Sequence, residues 1–157
     1  YNYGAGKEKR IHETIRCAFL YAVIIMTVVL ISLELIPDKI LMLFDASEQM
    51  IRLGIPAVRI MSVSLFVSSV GIIFAAIFQG FGNGNYSMYL AFMRQVILLI
   101  PILLIGAAIG NITVIWSGFA VAEALSIPFG MWLYGKVTQN MIAPMAETYG
   151  ENRVETA

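Results

Sequence analysis

The chain has 157 residues, of which 59% are hydrophobic and only 13% charged, and its mean hydropathy is +0.82. Soluble domains sit near half apolar and a quarter charged, so a water-soluble globule is excluded and the lipid bilayer is the expected solvent. Ten Lys and Arg against ten Asp and Glu leave no net charge, which argues against nucleic acid as a partner.

The opening stretch, YNYGAGKEKR (Tyr1–Arg10), sets a small Gly- and Tyr-bearing cluster in front of a basic block. From Cys17 to Leu33 no residue is charged. That run predicts a first membrane span over about 15–33, with Arg16 snorkelling to the head groups. It is too long and too late for a signal peptide, and no small-residue cleavage site follows. Glu34-Leu-Ile-Pro-Asp-Lys ends it, and the apolar Ile40–Phe44 between charges is placed at the membrane interface. Asp45, with Glu48 three residues on, reads as a helix cap, and Pro56 as the first residue of the next span.

Ile60 to Met93 is again charge-free and far longer than one crossing needs. Gln79–Ser87, QGFGNGNYS, divides it, because clustered Gly and Asn are poor helix formers and good turn formers. The second and third spans are therefore expected over about 56–78 and 88–109. Gly110-Asn111 supplies the next break, and a fourth span follows over about 112–134. Residues 1–135 form one membrane unit, and 136–157 are read as a polar, loosely ordered tail carrying Glu147, Glu151, Arg153 and Glu155. No repeat is visible. The fold class is an all-α membrane protein with four transmembrane helices.

Four spans put both ends on one side. Lys7, Lys9, Arg10, Arg16, Arg94, Lys136 and Arg153 lie towards that side, against Lys39, Arg52 and Arg59 on the other. The positive-inside rule then places both termini and the Gly-rich turn in the cytoplasm.

Few polar residues lie inside the spans. Glu123, in FAVAEALSIPFG, falls near the middle of the fourth, where a charged acid costs roughly 2.5–3.5 kcal/mol on insertion scales. It is either a proton or cation site or, the commoner case, an acid hydrogen-bonded to a neighbouring helix. Arg94 is expected to snorkel, with a reach to Glu123 as the alternative, and Arg59 mirrors it on the outer side. In the second span Met61, Ser64, Phe66, Ser68, Phe74 and Gln79 suit either close helix packing or a loose pocket for greasy cations. Pro101 and Pro128 are candidate kinks, as packing geometry by default and as hinges in the sharper reading. Cys17 is lone and His12 is lone, so neither an internal disulfide nor a zinc site is expected. GFGNG follows a helix and not a strand, so it is no phosphate loop. No nucleophile–base set or metal-ligand spacing appears, and no enzyme or cofactor is expected.

Taken in order, YNYGAGKEKRIHETI, LIPDKILMLFDASEQMIRLGIPAVRIM, IFQGFGNGNYSMYLAFMRQVILLIPILLIG and IWSGFAVAEALSIPFGMWLY resemble the last four helices of the multidrug and toxic compound extrusion (MATE) family. The resemblance implies a twelve-helix protein of two six-helix bundles, of which this chain would be most of the C-terminal one. YNYGAGKEKR would then be an internal joint after the family's eighth helix. The resemblance also implies export of small amphipathic or cationic compounds, driven by Na+ or H+, from a bacterial or archaeal cell membrane. The remaining helices of a parent transporter and the lipid bilayer would be the partners. The family's acidic coupling residues lie in its first, seventh, eighth and tenth helices. Only the tenth corresponds to a span here, the second, and that span holds no Asp or Glu. This departure favours a structural role for Glu123. The alternatives are a flippase for lipid-linked oligosaccharides from the same superfamily, and a four-span membrane subunit or scaffold without transport activity.

Overall fold

The structure, a computed structural model, describes residues 1–145 and Thr148, and every regular element among them is helical. Four helices are long and apolar enough to cross a membrane: Glu8–Leu35, Glu48–Gly80, Gly84–Ile109 and Ile112–Met145. In chain order α1 is Glu8–Leu35, α2 the short Pro37–Met42, and α3 the 33-residue Glu48–Gly80. The third crossing is composite. It comprises α4 (Gly84–Phe92), a π-helical stretch Met93–Leu99, and α5 (Ile100–Ile109). The fourth is α6 (Ile112–Val137), extended by a second π-helical stretch, Thr138–Ile142.

Helix ends follow local chemistry, with two departures from the sequence reading. The cap of α3 is Ser47, whose Oγ accepts from the Met50 backbone N–H at 3.4 Å, whereas Asp45 turns the chain at φ 53°. The helix thus begins well before Pro56, which stands inside α3 instead of opening it. Ser47 prevails because its backbone is extended, as an N-cap requires, while Asp45 occupies the left-handed conformation that a short polar residue tolerates. At the other break Gly110 takes φ 69°, and Asn111 Oδ1 accepts from the Thr113 and Val114 N–H groups at 2.9 and 3.4 Å.

The second departure is at the C-terminal end. Residues 136–145 do not loosen into a tail. They remain helical, and Val137, Ile142 and Met145 are buried, Ile142 with Ile11 at the start of α1. These apolar side chains keep the helix going past Lys136. Glu147, Glu151, Arg153 and Glu155 lie outside the described residues.

α3 is the central element. It packs against α1 on one side and α6 on the other, while α1 turns Leu20, Ile24, Ile25, Val28 and Ile31 outward as an exposed apolar surface. The core between α3 and α6 is aromatic. Phe74 and Phe78 stack with ring centroids 6.2 Å apart, and Phe19 of α1 meets Phe74 edge-on at 5.6 Å. In a bilayer there is no hydrophobic drive between helices, so close packing must supply the association. α6 provides it with a buried row at every fourth residue: Gly118, Ala122, Ser126 and Gly130. Phe74 sits so tightly over Gly130 that a Cβ there would lie 2.8 Å from its ring, and Ile102 closes on Gly118 in the same way.

That contact is testable. Gly130→Ala forces the Phe74 ring out of the core and is expected to cost about 1–3 kcal/mol. Gly135→Ala, which meets nothing within 4 Å, is expected to be neutral or stabilising. Reversible unfolding of the two variants in mixed micelles measures the difference.

Candidate functional site

The third and fourth spans each carry one ionisable side chain into the apolar interior, and the fold brings the two together. Arg94 is the second residue of the π-helical stretch and Glu123 lies mid-way along α6. Arg94 Nη1 stands 3.3 Å from Glu123 Oε2, and each side chain is 18% exposed. The pairing replaces the expected snorkelling of Arg94. The helix bearing it starts at Gly84, before the Met88 start read from the sequence, and its Arg94 is directed across α3 to Glu123.

A third residue makes the contact possible. Gly71 of α3 faces the pair: a Cβ there would be 3.0 Å from Arg94 Nη1 and 3.8 Å from Glu123 Oε2. The guanidinium therefore lies across bare backbone. Arg94 Nε is buried with no hydrogen-bond partner, so the pair is joined through one nitrogen and not as a two-point fork. Ser126 donates to the Glu123 carbonyl at 2.7 Å, a local bond that keeps a hydroxyl satisfied beside the acid.

A second polar knot joins α1 to α3. Ser62 Oγ, 1% exposed, is 2.9 Å from Glu34 Oε1 and 2.6 Å from the Arg59 carbonyl. Its single proton serves either acceptor. Arg59 Nε is 3.8 Å from Glu34 Oε2 with both side chains well exposed, so this ion pair adds little by itself. The sequence reading treated Glu34 as a span terminator. The available signal was its spacing from Arg59, an acid and a base at the same end of two consecutive spans.

The six second-span candidates are not gathered into one lining. Phe74 belongs to the core and Ser64 is buried, whereas Met61 and Gln79 are exposed, and Phe66 and Ser68 are half-buried. Ser68 Oγ bonds the Leu65 carbonyl of its own helix at 2.9 Å, and Gln79 Nε2 donates across the turn to Ser87 Oγ at 2.9 Å. Pro101 immediately follows the π-helical stretch through Ile100, while Pro128 lies within the α-helical run of α6. Among the described residues no group of three or more His, Cys, Asp or Glu could hold a metal ion. A neutralised charge pair inside a helix bundle can tie helices or exchange partners.

Residues 1–105 match the sequence profile of the family described as MatE. The multidrug export protein MepA of Staphylococcus aureus, in strains MSSA476 and MW2, is 24% identical over 125 residues, covering 80% of this chain and 27% of the relative. The chain thus spans little more than a quarter of the length of these curated relatives. A solved structure described as "protein A" superposes with a TM-score of 0.78 at 29% identity, covering 90% of this chain and 31% of that one.

Removing one partner of a buried pair strands the other charge. Glu123→Ala is expected to destabilise the bundle by about 3–5 kcal/mol, and Arg94→Leu combined with Glu123→Leu to recover most of that loss. Unfolding titrations of single and double variants give the coupling. A double variant that loses as much as the two single variants added together would show that the two side chains do not depend on each other.

Proposed function

The chain belongs to the MatE family, and from that membership we propose that it supplies four spans of a multidrug efflux antiporter exporting amphipathic, cationic compounds against Na+ or H+ entry. The observation that carries the reading is the likeness to a protein named for multidrug export, which runs over most of the chain. The structural likeness covers still more of it. Transporters of this architecture work by rocking two bundles about a central site. The expected partner is therefore a second bundle together with further helices beside these four. Both chain ends and the Gly-rich turn face the cytoplasm in this reading.

Within that assembly Arg94 and Glu123 act as a structural tie. They hold the third and fourth spans against α3, so that the four move as one body. The proton- or cation-coupling acid lies elsewhere in the working transporter. The flippase alternative is less well supported, because a cavity for anionic lipid-linked sugars needs free cationic side chains. Here Arg94 faces Glu123 and Arg59 faces Glu34. A scaffold without transport activity would leave the likeness to an export protein unexplained.

Ethidium accumulation in drug-sensitive cells tests the reading. A protein of the relatives' length containing this sequence is expected to lower accumulation, and the 157-residue chain alone is not. Efflux by the chain alone would overturn the need for a second bundle. For the coupling role, Glu123→Gln in the longer protein is expected to transport at close to the wild-type rate in both sodium-free and pH-clamped vesicles. Loss of the ion dependence in that variant would move Glu123 into the coupling machinery.

A further inference from the structure

The last turns of α6 carry a cation laid on an aromatic stack. Lys136 Nζ stands 4.0 Å from the centroid of the Trp132 ring, and that ring stacks on Phe129 with centroids 5.6 Å apart. Residues three and four apart on a helix share a face, so Phe129, Trp132 and Lys136 follow one another towards the end of the span. A lysine at the end of a membrane helix ordinarily extends its ammonium into water. Here attraction to the ring face holds it down on the indole.

This cation differs from the two arginines whose side chains meet an acid. Arg94 faces Glu123 and Arg59 faces Glu34, whereas no acid pairs with Lys136 among the described residues. The indole N–H of Trp132 has no acceptor among them either, and this side chain is exposed. A Cβ added at Gly135, between the two, would meet nothing within 4 Å, so the space beside both donors is open. Farther from the helix end Val121, Leu125 and Pro128 continue the same face and are exposed. From Leu125 to Lys136 the helix rises about 16 Å, close to half of the roughly 30 Å hydrocarbon core of a bilayer.

We infer that this face binds one anionic phospholipid, its phosphate between the Lys136 ammonium and the Trp132 N–H and an acyl chain along Pro128, Leu125 and Val121. Charge selects the occupant. An ammonium with no acid beside it attracts a phosphate, and a lipophilic cation would bring like charge against it. The exposed apolar strip, one leaflet deep, selects a lipid over a soluble anion. In the orientation proposed above Lys136 lies on the cytoplasmic side, where anionic lipids attract juxtamembrane cations. The site uses neither the Arg94–Glu123 pair nor the transport reading.

Tryptophan quenching tests this at the site itself. The chain has two Trp, so Trp116→Phe leaves Trp132 as the reporter. The purified Trp116→Phe chain is placed in bilayers of phosphatidylcholine mixed with dibrominated phosphatidylglycerol or dibrominated phosphatidylcholine. One juxtamembrane cation favours an anionic lipid by roughly fivefold, so phosphatidylglycerol is expected to bind beside Trp132 about five times as strongly as phosphatidylcholine. Adding Lys136→Gln is expected to bring the two lipids to parity, and Lys136→Arg to keep the preference. Lys9→Gln, which removes a cation from another helix, is also expected to keep it. Circular dichroism checks that each variant stays helical; if Lys136→Gln does not, Lys136→Met, which retains an apolar stem, takes its place. Four results would overturn the proposal: equal quenching by both lipids before Lys136 is changed; an unchanged preference in a folded variant without the Lys136 charge; an equal loss in Lys9→Gln; or no quenching by either lipid, which would show that protein and not lipid covers this face.

Discussion

The close approach of α6 to α3 is the constraint on which the other features rest. It is made by side-chain absence: Phe74 of α3 fills the space over Gly130 of α6, while Gly118, farther along the same buried row, admits Ile102 of α5. Only at that separation can the third span's Arg94 cross Gly71 and meet Glu123. The order of causes matters. Burying two charges has a large desolvation cost, which their mutual attraction offsets only when the geometry is close and water is excluded. The small residues set the distance, the distance allows the pair, and the pair then fixes which residues of the third and fourth spans face each other.

The two π-helical stretches share a local cause. Ile100 alone separates Leu99 from Pro101, and Ala143 alone separates Ile142 from Pro144. A proline lacks the N–H that would bond the carbonyl four residues back, and its ring crowds that carbonyl. Widening the preceding turn to the π pattern relieves the clash and offers the carbonyls other donors, which matters where no water can reach them. Pro56 and Pro128 sit within α-helical runs without such a stretch, so proline alone does not dictate the outcome. For Arg94 the consequence is direct: it stands in the first turn of the widened segment, and the local winding sets the direction in which its side chain leaves the helix.

Much of the architecture was legible because membrane folding is governed by few rules. Charge-free runs locate the helices, and Gly82 and Gly110, both at positive φ, mark turns that the Gly- and Asn-rich segments announce. Helix ends were less legible, since the bilayer limits apolar length but not helical length. α3 extends back to a serine cap beyond its apolar run, and α6 continues past Lys136 because Val137 and Ile142 find buried partners. Of the candidate site, Glu123 was visible as an intramembrane acid. Its partner was misjudged because sequence spacing alone does not show in which direction the Arg94 side chain leaves its helix. The row from Gly118 to Gly130 was also passed over, although its four-residue spacing is a plain signal of close helix packing.

The central claim is that Arg94 and Glu123 stabilise one arrangement of the spans by their opposite charge inside the bundle. Charge exchange is its most direct test. Unfolding midpoints in mixed micelles are compared for Arg94→Glu, Glu123→Arg and the two combined. The account predicts that each single reversal, which places like charges together within the bundle, lowers the midpoint sharply, and that the combined exchange recovers most of the loss. A doubly exchanged protein no more stable than either single variant would contradict it.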